Sequence, residues 1–142
     1  MILWDNLDTE LTTMPIEISW DSSNRPILFM RVSGDWKLDD YYENYLRSKK
    51  MMESVDHPVF LVLDMTENKT IPTRMMSTAS FSKKNRARNL EFTVFVGASL
   101  LISKLAEVMT TITSRDKRRL YFADTIDDAY QLVDTFIKEK SF

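Results

Sequence analysis

The sequence predicts one α/β domain with a mainly parallel sheet and an antiparallel first strand. Apolar runs of strand length alternate with segments whose apolar residues recur at helical spacing, in the order β-β-α-β-α-β-α-β-α. The chain has 142 residues, 44% of them hydrophobic, which is enough to bury a core without a disulfide or a structural metal. It contains no Cys, 2 Gly and 4 Pro, and no Gly-rich or Pro-rich linker divides it.

An N-terminal arm, residues 1–14, is separable from the domain, which is expected to span 15–142. The apolar residues of the arm recur at about helical spacing: Leu3, Leu7, Leu11 and Met14. The arm is therefore a short amphipathic helix, a contact between two copies, or an extension upstream of a start at Met14. Its acids and its lack of an early positive charge are atypical of a secretory signal, so we expect a cytoplasmic protein.

The first two strands are expected to form an antiparallel hairpin. Ile16, Ile18 and Trp20 alternate with polar residues, which is the period of a half-buried strand. After the turn-rich residues 21–26, the alternation resumes through residues 28–32 and ends near Gly34.

A helix and a central strand follow the hairpin. The residues Tyr41, Tyr45, Ser48, Met52 and Val55 fall on one helical face, and Asp39 and Asp40 lie in the first turn, where the helix dipole favours acids. Residues 58–63 are continuously apolar, which is typical of a strand covered on both faces. We expect this strand to end at Asp64.

The second half of the chain repeats this alternation. A second helix is expected to begin near Pro72, because Pro is tolerated in the first helical turn. Residues 92–96 and 120–123 are predicted strands, and the apolar stripe within 101–112 predicts a third helix between them. Thr125 and Asp128 resemble a capping box that begins the last helix, whose buried face holds Ala129 and Val133.

In a parallel sheet, the loops that follow strands gather at one edge, the carboxyl edge, where ligands usually bind. Loops that precede strands gather at the opposite edge, the amino edge. The candidate ligand or partner residues of the carboxyl edge are Trp36, Asp64, Thr66, Thr73, Ser99 and Thr125. For Asp64, stabilisation of a turn is favoured over a role as phosphoryl acceptor, because the companion acids of such sites are missing.

The usual catalytic and metal-binding patterns are missing from the sequence. His57 is the only His, and it precedes Asp64 by seven residues, about 23 Å along a strand, so the two cannot form a dyad. Without Cys, a second His or a GxSxG pattern, the sequence offers almost no material for a nucleophilic triad or a zinc site. No GxGxxG or GxxxxGK pattern occurs, and no apolar run reaches the ~18 residues of a membrane span. We therefore predict no catalytic residue, metal, cofactor or membrane span.

Charge is distributed unevenly along the chain. Residues 1–66 carry 6 basic and 12 acidic residues (6 − 12 = −6), whereas 67–142 carry 13 basic and 9 acidic residues (13 − 9 = +4). The candidate basic patch at the amino edge comprises Lys83, Lys84, Arg86, Arg88, Lys117, Arg118 and Arg119. Because the runs lack interleaved aromatic residues and the net charge is −2, a solvated face is favoured over nucleic-acid binding.

The strand VFLVLDM at 59–65 and the ending FADTIDDAYQLV at 122–133 resemble the STAS domains of the anti-sigma-factor antagonist family. The resemblance covers about 15–140. MPIEISW at 14–20 and FTVFVG at 92–97 are more narrowly similar to small bacterial STAS-like (SpoIIAA-like) proteins. This resemblance implies a non-enzymatic regulatory module that binds a protein partner or itself. The alternative is a small-ligand binding protein that uses the carboxyl edge.

The resemblance also bears on regulation by phosphorylation. In the antagonist family, a partner kinase phosphorylates the Ser of a DSSG stretch at the start of the second helix. The matching residues here are 71–75, where DSSG is absent and Thr73 is the only hydroxyl in register.

Overall fold

The structure is a computed structural model that describes residues 16–33, 36–67, 81–82, 84–97 and 120–140. Its strands are β1 (Ile16–Trp20), β2 (Ile27–Ser33), β3 (Val59–Glu67), β4 (Leu90–Val96) and β5 (Leu120–Ala123). Its helices are α1 (Leu38–Glu53) and α2 (Ile126–Lys140). The predicted α/β class is confirmed.

The five strands form one sheet in the order β1-β2-β3-β4-β5. β1 runs antiparallel to β2, with Ile16 opposite Val32 and Trp20 opposite Leu28. The pairs β2–β3, β3–β4 and β4–β5 are all parallel. The predicted hairpin and the mainly parallel sheet are therefore both confirmed.

The sheet has two apolar faces, and each described helix covers one of them. Leu61, Leu63 and Met65 of β3 pack on the α1 side with Tyr45 and Met52. The alternate residues of β3, including Phe60 and Val62, pack on the α2 side with Ala129 and Val133. Because successive side chains of a strand point to opposite faces, the apolar run of β3 supplies both cores.

Helix α1 buries the residues that the sequence placed on one face: Tyr41, Tyr45, Ser48 and Met52. The buried Ser48 hydroxyl is satisfied, because it donates to the carbonyl of Tyr45 at 2.6 Å. Helix α2 begins as predicted, with the Asp128 amide donating to Thr125 Oγ1 at 3.1 Å.

Strand β3 is longer than the sequence predicted. We expected it to end at Asp64, but it continues to Glu67. Asp64 is tolerated inside the strand because Arg31, its neighbour on β2, pairs with its carboxylate. Residues 65–67, which were expected to lie after the strand, are therefore part of it.

Several predicted segments lie outside the described residues. They are the arm at 1–14, most of the second helix and the whole third helix. Of the second helix, Phe81, Ser82 and Lys84 are described, and they are helical. No helix in the described ranges is long and apolar enough to cross a membrane.

Burial of β3 on both faces predicts a large cost for truncating its side chains. Leu61 is 1% exposed, and we expect Leu61→Ala to lower the free energy of unfolding by about 2–5 kcal/mol, since it removes transfer energy and leaves a cavity. The matched control Leu46→Ala, on the outer face of α1 at 40% exposure, changes it by no more than about 0.5 kcal/mol. Urea unfolding measures both, and equal effects would contradict this assignment of the core.

Candidate functional site

The carboxylate of Asp64 lies near the carboxyl edge and is 2% exposed. Its Oδ1 accepts the amide of Thr66 at 3.0 Å and the Thr66 hydroxyl at 2.7 Å. Its Oδ2 accepts Arg31 Nε at 3.2 Å. A buried carboxylate needs such partners, and both oxygens have them. Asp64, the acidic candidate residue of this edge, is thus held by contacts within the sheet.

Thr66 is exposed and lies beside Gly97, the residue that follows β4. Gly97 has a φ of +69°, and its amide donates to the carbonyl of Ala123 at 3.0 Å. A Cβ at this position would collide with Thr66 Cγ2 and lie 2.9 Å from Thr66 Cα. Glycine is therefore required here both by conformation and by the close approach of β3.

The structure does not bring all the predicted residues of the carboxyl edge together. Trp36 is 5% exposed and packs in the core on the α1 side, 5.7 Å between ring centroids from Tyr41. Alternation along β3 places Asp64 and Thr66 on the α2 side instead. Thr125 serves as the cap of α2. Thr73 and Ser99 lie outside the described residues.

The candidate basic patch is described only in its first run. Arg86 and Arg88 precede β4 at the amino edge, as predicted, and both are tied to nearby backbone. Arg86 Nη2 donates to the carbonyl of Leu90 at 2.7 Å, and Arg88 Nη2 donates to the carbonyl of Glu53 at 3.4 Å. Lys84 is exposed. Lys83, Lys117, Arg118 and Arg119 fall outside the described residues.

An open groove at the amino edge was missed by the sequence analysis. It encloses about 1130 Å³ between the β1–β2 loop, the segment before β3 and the last turns of α2. Its lining includes Trp20, Arg25, His57, Phe92, Phe136 and Lys140. These residues span most of the chain without forming a motif, so no pattern in the sequence signalled the groove.

One wall of the groove is fixed by a set of contacts that we call the clasp, formed by Asp21, Arg25, Tyr130 and Asp134. Arg25 donates from Nε and Nη2 to the two carboxylate oxygens of Asp134, at 2.9 and 3.0 Å. The guanidinium carbon of Arg25 lies 5.1 Å from the centroid of the Tyr130 ring, and the Tyr130 hydroxyl donates to Asp21 at 2.8 Å. The clasp joins the β1–β2 loop to the middle of α2.

The clasp also shifts the pKa values of two of its members. Burial raises the pKa of the Tyr130 hydroxyl to about 12, and its hydrogen bond to Asp21 acts in the same direction. Partial burial alone would raise the pKa of Asp21, but hydrogen bonds from Ser23 and Tyr130 outweigh it and leave the pKa below its usual value. Both shifts favour a neutral Tyr130 that donates to an ionised Asp21 at neutral pH.

In the described part of the chain, no group of three His, Asp or Glu side chains is close enough to hold a metal ion. His57 is exposed before β3, and its Nδ1 lies 2.9 Å from the carbonyl oxygen of Pro58. Asp64 lies near the other end of the same strand, so the structure agrees that the two do not form a dyad.

A scan against models of known protein families finds no match, and a search of curated proteins finds none either. Among solved structures, the chain is similar to an anti-sigma-factor antagonist (STAS) domain protein from Planctomyces limnophilus. The TM-score is 0.55 at 8% sequence identity, and the alignment covers 84% of this chain and 97% of that one. The chain therefore has the fold of STAS domains, as the sequence resemblance implied.

The engagement of Asp64 predicts that this carboxylate stabilises the fold. We expect Asp64→Asn to lower the free energy of unfolding by about 1–3 kcal/mol, because the charge that pairs with Arg31 and attracts the Thr66 donors is lost. The matched control Asp134→Asn, in a pair whose side chains are 33% and 49% exposed, costs less than about 1 kcal/mol. Urea unfolding compares the two. A higher free energy of unfolding in Asp64→Asn would contradict this role, because it would show that the carboxylate destabilises the fold.

The clasp predicts a linked change in the ionisation of Asp21. Tyr130→Phe removes a hydrogen bond to the charged carboxylate, so the pKa of Asp21 rises toward its ordinary value of 3.8. Folding lowers the pKa of Asp21 in the wild-type protein, so the ionised carboxylate stabilises the folded state at neutral pH. This stabilisation is lost as the pH falls below 3.8 and through the lowered pKa of the folded state. NMR titration of the Asp21 carboxyl group measures the shift, and an unchanged or lower pKa in Tyr130→Phe would contradict the contact.

Proposed function

We propose that this chain is a non-enzymatic protein-interaction module with the STAS fold. The observation that carries the proposal is the set of hydrogen bonds that Asp64 accepts from Arg31 and Thr66. These bonds occupy both carboxylate oxygens, so the acid is held within the sheet. The similarity to an anti-sigma-factor antagonist (STAS) domain protein supports the same conclusion, because the sequence resemblance to that family implies a module that binds a protein partner or itself. The proposal includes action in the cytoplasm, which cell fractionation tests.

The proposed partner surface is the carboxyl edge. Lys37, Thr66, Glu67 and Thr125 are exposed there, at the ends of β2, β3 and β5. Thr73 and Ser99 belong to this surface by their predicted positions in the sequence. The partner is either another protein or a second copy of the chain.

A small ligand at the carboxyl edge is the second candidate, and one observation favours it. The indole Nε1 of Trp36 is buried and has no hydrogen-bond acceptor among the described residues. A buried donor without an acceptor is costly, and a ligand oxygen at this point would satisfy it.

Native mass spectrometry of the purified chain tests the proposal, because it reads oligomeric state and bound mass together. We expect no added small mass, and either a discrete oligomer or a monomer that captures a specific partner from lysate. Glu67→Arg is expected to weaken the complex at least about tenfold, because it reverses a charge on the proposed surface. Lys84→Glu, an exposed charge reversal at the other edge, is the matched control and leaves the complex unchanged.

Two outcomes would contradict the interaction proposal. A strict monomer that captures no specific partner would remove its basis. An added mass that is released on denaturation, and whose binding is lost in Trp36→Phe, would establish the small-ligand alternative instead.

A further inference from the structure

We propose that the groove at the amino edge is a binding site for a small amphipathic acid, a flat apolar molecule that carries one acidic group. The site lies at the edge opposite the proposed partner surface, so the inference goes beyond the interaction function. It rests on the shape of the groove, its aromatic base, the charges of its lining and the rigidity of one wall.

The dimensions of the groove suit a small molecule. Its volume of about 1130 Å³ lies slightly above the usual range for ligand sites, roughly 300–1000 Å³, so a small molecule has room to bind. Pro26 and Pro58 line it where β2 and β3 begin, and Ile137 lines it from α2. Three separate segments thus enclose the space, which is the concave form that ligand sites take.

Aromatic rings form the base of the groove. The Phe92 ring meets Phe60, Tyr121 and Phe136 edge to face, with centroids 4.7, 4.8 and 5.2 Å away. Phe60 and Phe92 are 2% exposed, so the base is fixed by packing on both sides. Trp20, at 37% exposure, adds a large apolar surface at the rim. The rings of Tyr121, Phe136 and Trp20 are partly exposed, and they offer a ligand apolar area above this fixed base.

The charges of the lining favour one acidic group on the ligand. Arg25 and Asp21 are committed to the clasp. Lys140 lines the groove, forms no ion pair with a described side chain, and places its Nζ 5.8 Å from the centroid of Phe136. Its ammonium group is therefore next to the aromatic base. Glu91 adds a negative charge to the same lining and disfavours an acidic group near it, so the acidic group of the ligand is assigned to the ammonium of Lys140.

The clasp holds a wall of the groove in place before any ligand binds. Tyr130 and Asp134 do not line the groove, but they fix Asp21 and Arg25, which do. A preformed wall lowers the entropy cost of binding. Tyr130 and Asp134 are thus positioning residues for this site.

Two fluorescent probes of the same apolar body test the proposal on the full chain. One is 1-anilinonaphthalene-8-sulfonate, which carries one acidic group, and the other is N-phenyl-1-naphthylamine, which carries none. We expect saturable binding of the sulfonate at one site per chain. Lys140→Gln should weaken the sulfonate about 3- to 10-fold and change the neutral probe by less than about twofold, because only the sulfonate uses the ammonium group. Lys138→Gln, an exposed position outside the lining, is the matched control and changes neither probe.

Amide chemical shifts locate the bound sulfonate. Shifts confined to residues 20–26, 55–60, 91–92 and 136–140 would support the proposal, and shifts centred on residues 64–67 would overturn it. Trp20→Ser should weaken both probes, while urea unfolding confirms that each variant stays folded. Absence of saturable binding, or equal loss in Lys140→Gln and Lys138→Gln, would also overturn the proposal. Glu67→Arg is expected to leave both probes bound, so failure here is distinguishable from failure of the interaction function.

Discussion

Burial of β3 on both faces is the constraint that places the other elements. From Val59 to Met65 every residue of this strand is buried. Apolar side chains that alternate between two faces need a cover on each, and α1 and α2 supply these covers within the described residues. The neighbouring strands β2 and β4 are parallel to β3, so they too begin at the amino edge and end at the carboxyl edge.

The same burial determines what a charged residue within the strand can do. Asp64 lies inside the sheet, where an unpaired carboxylate would be very costly. Arg31 and Thr66 meet this requirement, one from the neighbouring strand and one from two residues further along β3. Asp64, which the sequence analysis considered as a candidate site residue, is thus stabilised inside β3, and the strand continues to Glu67. Among the described residues, the exposed side chains at the carboxyl edge then include those of Lys37, Thr66, Glu67 and Thr125.

Helix α2 runs from the carboxyl edge, where it begins after β5, to the amino edge, where its last turns line the groove. Its N-terminus is capped by Thr125 after β5, and its middle is fastened to the β1–β2 loop by the clasp. Its last turns bring Phe136 and Lys140 to the beginnings of the strands, where the groove opens. Packing contacts alone therefore produce a preformed concavity far from Asp64.

Local patterns predicted the elements that depend on neighbours in sequence. The alternation at Ile16, Ile18 and Trp20 and the stripe from Tyr41 to Met52 were sufficient, because period alone assigns a strand or a helix. The end of β3 was predicted wrongly because the partner of Asp64 is Arg31, 33 residues away on another strand. Trp36 and Asp64 were predicted to lie at one edge, and their positions on opposite faces became visible only with the register of the sheet. The groove could not be predicted, since Trp20, Phe92 and Lys140 meet only in the folded chain.

The central claim is that Asp64 is held by its own sheet and not left free at the carboxyl edge. Native-state hydrogen exchange of the Thr66 amide tests this claim directly, because that amide donates to Asp64 Oδ1 although the Thr66 side chain is exposed. We expect the Thr66 amide to exchange at least about 100-fold more slowly than in an unstructured peptide. Exchange at the rate of an unstructured peptide would show that the carboxylate is free, and would contradict the account.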